Sequence, residues 1–305
     1  MSFSFRIKNE LCKIEEKSLE NKLSEIYGVI LFSKYFKRDN GVILKTENKS
    51  ICDRFAKTFS SCFNITPNVE IQKNTKKNYT THKSLYTLAI SHKADRLIIW
   101  NYFNLDDFSF KDKFINLKKK ICTVPFLRGI FLVCGNLIDP TINYHLEWNV
   151  KSLQLAELLK NSLSELDLNL RVNYVFSKNK YLVYMKAYEN IVDFLTFIGV
   201  QASVMDIIQV KMLKEVRNQI NRTTNFEAAN INKTAIAATE QILAIRKLKK
   251  TKRFEKLTPE LKELANLRLN NPQMSLKELG ENLSGKLTRF SVNYRLKKIV
   301  AFAKS

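Results

Sequence analysis

Phe126–Pro140 reads FLRGIFLVCGNLIDP. The run from Phe126 to Cys134 is apolar enough to be a core helix, yet Gly129 sits inside it and Gly135, Asn136 and Asp139 make its tail polar. A glycine inside a helix costs about 1 kcal/mol relative to alanine. That cost makes sense where two backbones must approach closely. A second stretch, LSEIYGVILFSKYF from Leu23, carries Gly28 at the equivalent place, in a chain with only seven glycines. The pairing predicts two helices packed on each other through Gly28 and Gly129.

Working outward, each helix opens a passage of the same order. After the first comes KYFKRDNGVILKTE, where Asn40-Gly41 between strand-like runs signals a tight hairpin. NKSICDRFAKTFSSCF is amphipathic at helical spacing through Ile51, Phe55, Phe59 and Phe63. ITPNVEIQK and SLYTLAIS are strand-like, and a helix over about 93–103 closes the passage. The second passage gives a hairpin around Pro140, a helix with Leu153, Ala156, Leu159 and Leu163 on one face, two strands around Lys178-Asn179, and a helix ending at Gly199. Both halves read helix, hairpin, helix, hairpin, helix. Internal duplication explains this most simply. It predicts an α+β domain over residues 1–205, with pseudo-repeats at about 20–104 and 122–200, two antiparallel sheets and helices on one face.

The 305 residues carry 51 Lys+Arg against 29 Asp+Glu, a formal net charge of +22. This balance points to a polyanion, nucleic acid before an anionic membrane surface. The five cysteines are scattered without CxxC pairs, and the three histidines do not cluster near them, so no zinc site is expected. The N-terminus lacks the apolar core of a signal peptide, and no run has the length of a membrane span. A soluble, cytoplasmic protein is expected.

From Asp206 long helical stretches replace strands, which predicts an all-α domain over 206–305. IIQVKMLKEVRNQINR is helical through Val210, Leu213 and Val216, and closes on a polar cluster. A second helix is built on Ile236, Thr239, Ile242, Leu243 and Ile245 and runs into the basic RKLKKTKRFEK. In this region Arg217, Asn218, Asn221, Arg222, Asn230, Asn232 and Lys233 fit either DNA-backbone contact or domain docking. Helix capping and inter-helix hydrogen bonding by asparagine fit them equally. Thr258 caps a helix with Pro259 in its first position. Ser275 and Glu278 have the spacing of a capping box. Thr288 then caps a last helix whose buried stripe is Val292, Leu296, Ile299, Val300 and Ala303. The arrangement predicts a helix-turn-helix over about 274–303. Arg289, Ser291, Asn293 and Tyr294 are the expected base contacts, because Arg pairs with guanine and Asn with adenine by two hydrogen bonds. Arg295, Lys297 and Lys298 are expected on the phosphates, and Ser275, Lys277 and Lys286 are expected among the DNA-binding residues.

LRGIFLVCGNL resembles the LAGLIDADG motif of homing endonucleases, and IYGVILFSKYF resembles a worn first copy. The resemblance implies an acidic metal ligand at the end of each motif helix. Ser33 and Cys134 stand at those positions, and neither replaces a carboxylate toward a hard cation. Across nearly the whole chain the sequence is similar to the WhiA family of bacterial regulators, which join a degenerate LAGLIDADG-like domain to a helix-turn-helix domain. FLRGIFLVCGNLIDP with YHLEW, MLKEVRNQINRTTNFEAANINKTAIAATEQILAI and SLKELGENLSGKLTRFSVNYRLKKI carry the likeness. Cys134 departs from a usually small residue and Tyr294 from a common histidine.

The resemblance implies a non-enzymatic, sequence-specific binder of double-stranded DNA, associated with the nucleoid. It would control cell division, chromosome segregation or transcription, and sporulation in sporulating relatives. A protein partner on the N-terminal domain fits as well; no cofactor, metal, membrane or small-molecule substrate is expected. If the sheets retain a basic saddle, Arg171, Lys178, Lys180, Lys186 and the segment 73–83 would line it. The alternatives are a metal-dependent endonuclease of the LAGLIDADG class and a protein-interaction module with secondary DNA binding.

Overall fold

Two helices, α2 (Leu19–Phe32) and α5 (Thr123–Cys134), form the axis of the N-terminal unit in the computed structural model, which describes residues 2–73, 84–105 and 122–304. A Cβ on Gly28 would stand well under 3.0 Å from the Phe126 carbonyl oxygen. One on Gly129 would meet the Glu25 carbonyl oxygen in the same way. Each helix thus presents a glycine to the backbone of the other, a reciprocal contact that any side chain would push apart.

The remaining elements fall around this axis in two matched sets. In the first half, β1 (Val42–Thr46), α3 (Lys49–Phe63), β2 (Asn68–Lys73), β3 (Ser84–Ala89) and α4 (Lys93–Tyr102) follow α2. In the second, β4 (Gly135–Leu137), β5 (Leu146–Val150), α6 (Leu153–Ser164), β6 (Asn173–Ser177), β7 (Lys180–Met185) and α7 (Tyr188–Phe197) follow α5. The sheets run β1-β3-β2 and β4-β5-β7-β6, all antiparallel. Superposing the orders aligns β1 with β5, β3 with β7 and β2 with β6. The fold is therefore the expected duplicated α+β arrangement, with one strand worn away in the first half.

That worn strand is where the hairpin reading fails. Instead of a ladder, Lys37 and Asn40 make an isolated bridge, exchanging N–H···O bonds of 3.2 and 3.1 Å around Arg38-Asp39. Asn40-Gly41 is not the turn. Gly41 lacks a side chain because Ile90 lies against it: its carbonyl accepts from the Ile90 N–H at 2.8 Å. The Lys178-Asn179 turn does form, with φ of 50° and 60°, the left-handed pair that suits a two-residue hairpin.

Apolar periodicity packs one core across both halves. Phe55, Phe59, Phe131, Trp148 and Phe194 are fully buried in it. An N-terminal helix not included in the repeat, α1 (Phe3–Cys12), adds Phe3, Ile7 and Leu11 at helical spacing. Leu153 is 38% exposed, and α6 instead buries Leu155 and Leu158 beside Ala156, Leu159 and Leu163.

Buried charge braces the helix pair beside the glycine contact. Arg54 gives Nη2 and Nε to the Glu25 carboxylate at 2.8 to 3.2 Å, and Nη1 to the backbone carbonyl of Ile14. Arg128 pairs with Glu16 and donates Nε to the Ile198 carbonyl at 3.0 Å. Each guanidinium is thus satisfied by a carboxylate and a backbone carbonyl, which buried charge requires.

The chain divides into units of residues 1–212 and 213–305. α8 (Ala202–Lys250) starts in the first and continues into the second. Its N-terminus is capped by Glu10, whose carboxylate accepts from the N–H groups of Gln201, Ala202 and Ser203 and from Ser203 Oγ, all within 3.0 Å. The helix does not close near Arg222, as the polar cluster suggested. No proline or glycine lies between Ala202 and Lys250, and asparagine alone does not stop it. None of the helices among the described residues is long and apolar enough to cross a membrane.

Candidate nucleic-acid interface

The C-terminal unit packs α9 (Pro259–Asn270), α10 (Leu276–Glu281) and α11 (Arg289–Lys304) against the end of α8. The face α8 buries here is Ala238, Gln241, Ile245 and Leu248. Ile236 and Leu243, expected inward, point out, because the true stripe runs one step around the helix. Leu264, Ala265, Leu279 and Leu283 complete the core with Val292, Leu296, Ile299 and Ala303 of α11; Val300 is only half-buried.

Local chemistry sets the angle between α10 and α11. Ser275 Oγ accepts from Glu278 N–H at 3.3 Å, and the Glu278 carboxylate accepts from Ser275 N–H at 2.7 Å, a full capping box. Those hydrogen bonds hold the Glu278 carboxyl below the usual range. Leu287 N–H donates to the Gly280 carbonyl at 2.9 Å and closes the turn. Thr288 Oγ1 accepts from Ser291 N–H at 3.3 Å and caps α11. Arg268, 2% exposed, is held on the Met274 carbonyl at 2.7 Å and so ties α9 to the segment that starts α10.

The outward side of α11 carries the expected polar residues unequally. Arg289, Tyr294, Lys297 and Lys298 are exposed, and Asn293 and Ser291 half-exposed. Ser291 Oγ lies 3.1 Å from Thr288 Oγ1, within the cap. Arg295 is engaged by Glu260 at 2.8 Å and braces α11 against α9, which removes it from the free cations. Ser275 is occupied by the capping box, Lys277 faces Glu281 across one turn at 3.9 Å, and Lys286 is exposed in the turn. Phe290, which the sequence reading passed over, is 86% exposed. On α8, Arg217, Asn218, Asn221, Arg222, Asn230, Asn232 and Lys233 are all exposed.

At the ends of the motif helices the donor chemistry does not suit a divalent metal. Ser33 Oγ is used up: it donates to the Ile43 carbonyl and accepts from Tyr35 and Phe36 N–H at 3.1 and 3.2 Å. The Cys134 thiol donates to the Ile130 carbonyl at 3.3 Å, and burial pushes it up to about 12, so it stays neutral. Cations crowd the place instead. Lys151 Nζ donates to the Ser33 carbonyl at 3.0 Å. Burial brings Lys8 down to about 8, and burial with a neighbouring lysine lowers Lys34 (beside Lys180) and Lys151 (beside Lys37). Asp139 is committed to its own turn, accepting from Thr141 N–H at 2.9 Å.

On the second sheet, Val183 and Met185 are buried, so alternation puts Lys180, Leu182 and Tyr184 on the opposite face, with Glu147 and Asn149 of β5 beside them. Lys186 Nζ sits 5.0 Å from the Tyr184 ring, Lys178 is at the hairpin tip, and Arg171 precedes β6. Residues 74–83, the other part of the expected saddle, lie outside the described residues.

Both parts of the chain are similar to known proteins. The model of the WhiA LAGLIDADG-like domain matches residues 123–217, and that of the WhiA C-terminal HTH domain matches residues 220–303. A protein from Ruminiclostridium cellulolyticum named "Probable cell division protein WhiA" is 36% identical, over 98% of this chain and 96% of its own. One of the same name from Lachnoclostridium phytofermentans is 33% identical over 99% and 98%. The crystal structure of full-length DUF199/WhiA, given as from Thermatoga maritima, aligns with a TM-score of 0.58 at 27% identity, covering 100% of this chain and 98% of that one.

Proposed function

The chain belongs to the WhiA family, and from that premise we propose that it is a non-enzymatic, sequence-specific DNA-binding regulator of cell division and chromosome segregation. One observation carries the reading. α11 buries Val292, Leu296 and Ile299 and turns Arg289, Asn293, Tyr294, Lys297 and Lys298 outward, while the Leu287–Gly280 hydrogen bond and the Thr288 cap fix the turn before it. Such a helix enters the major groove with its first residues at base edges and its later cations at phosphate. Arg289, Asn293 and Tyr294 are the proposed base contacts; Lys297, Lys298, Lys286 and Lys277 are the proposed phosphate contacts. Ser275 and Ser291 act through the caps that hold these side chains. The exposed Arg217–Lys233 residues of α8 serve backbone contact or docking. Domain boundaries near residue 206 and a nucleoid location belong to the same proposal.

The LAGLIDADG-like domain does not act as a nuclease in this reading, because a hydroxyl and a neutral thiol, with Lys8, Lys34 and Lys151 nearby, stand where the motif would carry two carboxylates. Its role is to modulate DNA binding or to hold a protein partner. Fluorescence anisotropy with duplexes selected from a random pool tests the main claim: the chain should bind them at least tenfold more tightly than scrambled duplexes. Equal affinity for both would defeat it.

A further inference from the structure

Packing does not explain one residue of α11. Phe290 is the second residue of the helix and 86% exposed, a position that solvent penalises for a large apolar side chain. Tyr294, one turn on along the same side, is 61% exposed, with Lys298 Nζ 4.8 Å from its ring. The buried stripe lies on the opposite side of the helix, so Phe290 projects away from the core. Arg289 and Lys297 are exposed around it.

An apolar ring framed by cations suits a polyanion that carries an apolar group. In the major groove the base edges are donors and acceptors, except for the C5-methyl of thymine. We propose that Phe290 is a specificity-determining residue that contacts a thymine methyl group next to the bases read by Arg289 and Asn293. This rests on the reading of α11 as the recognition helix. It adds a demand that hydrogen bonding alone does not make: thymine at one position is distinguished from uracil, which differs only by that methyl.

The test is a double-mutant cycle between protein and DNA on the full chain. The duplex is one selected from a random pool, and each thymine is replaced in turn by deoxyuridine. At one thymine the unaltered protein should lose about fourfold in affinity, the size expected for one buried methyl group. Phe290→Ser should bind the thymine and deoxyuridine duplexes equally well, with an unchanged far-UV spectrum because the side chain is exposed. Insensitivity of the unaltered protein to every such replacement overturns the proposal. So does a Phe290→Ser variant that keeps the full thymine preference. If the unaltered protein does not prefer the selected duplex over a scrambled one, the recognition-helix reading itself fails and the proposal falls with it.

Discussion

Gly129→Ala tests the packing at the centre of the N-terminal unit. The new Cβ would lie well under 3.0 Å from the Glu25 carbonyl oxygen, with the Glu25 carbonyl carbon at 3.2 Å and its Cα at 3.4 Å. These are backbone atoms of a buried helix and have no rotamer to escape into. Ordinary contact needs roughly 1 Å of extra separation between α2 and α5. Overpacking of this kind costs about 1–3 kcal/mol, and the better helix propensity of alanine returns about 1 kcal/mol. A net loss of up to about 2 kcal/mol is expected. The chain's two tryptophans, Trp100 and Trp148, both lie in the N-terminal unit, so tryptophan fluorescence in urea follows that unit alone. With a slope of about 2 kcal/mol/M, the midpoint should fall by up to roughly 1 M. Gly28→Ala should do the same, and the pair should lose less than the sum, because one separation relieves both clashes. A midpoint that rises for Gly129→Ala, as for an exposed helical glycine, would refute the close approach.

Further outcomes follow from the capped and buried groups. Glu10→Gln should cost the N-terminal unit about 1–2 kcal/mol at neutral pH, read by the same fluorescence midpoint. Burial opposes the Glu10 charge, but the hydrogen bonds from Ser203, Ala202 and Gln201 outweigh it and hold the carboxyl below its usual range. A depressed folded pKa means that this stability is complete above the unfolded value and is lost as pH falls through the folded one, so the difference from Glu10→Gln should shrink in acid. Arg268→Met should loosen the segment from α9 to α10 by about 1–3 kcal/mol, seen as faster amide exchange there, because the Met274 carbonyl loses its donor. Lys298→Ala should weaken cognate and random DNA alike and reduce the slope of affinity against salt by about one. Supercoiled DNA with magnesium should stay intact; cleavage abolished by EDTA and absent from a matched inactive preparation would overturn the nuclease-dead reading.

Much of the fold was legible in the residues that make local signals. The glycine pair, the helical spacing of Phe55 and Phe59, and the two-residue turn at Lys178-Asn179 each state their own structure. Asn40-Gly41 misled because the same dipeptide that favours a turn also permits close approach, and only the position of Ile90 distinguishes the two. The α8 faces misled in another way. Ile236 and Leu243 are as apolar as Ile245, and which of them is buried depends on where α9 and α11 pack. In the candidate site, the capping box and the caps of α11 were readable from spacing. The engagement of Arg295 by Glu260 was not, since a pair separated by 35 positions has no sequence signature. Arg128, which interrupts the apolar run of α5, pairs with Glu16 at a separation of 112 positions, and that pair has no sequence signature either.

The most direct test of the account is anisotropy titration of Arg289→Ala and Asn293→Ala against selected and scrambled duplexes at fixed salt. Each loss of a two-hydrogen-bond base contact should reduce the preference for the selected duplex by about 1–3 kcal/mol while leaving affinity for the scrambled one nearly unchanged. A preference that survives both substitutions would show that α11 does not read the bases, and would contradict the account.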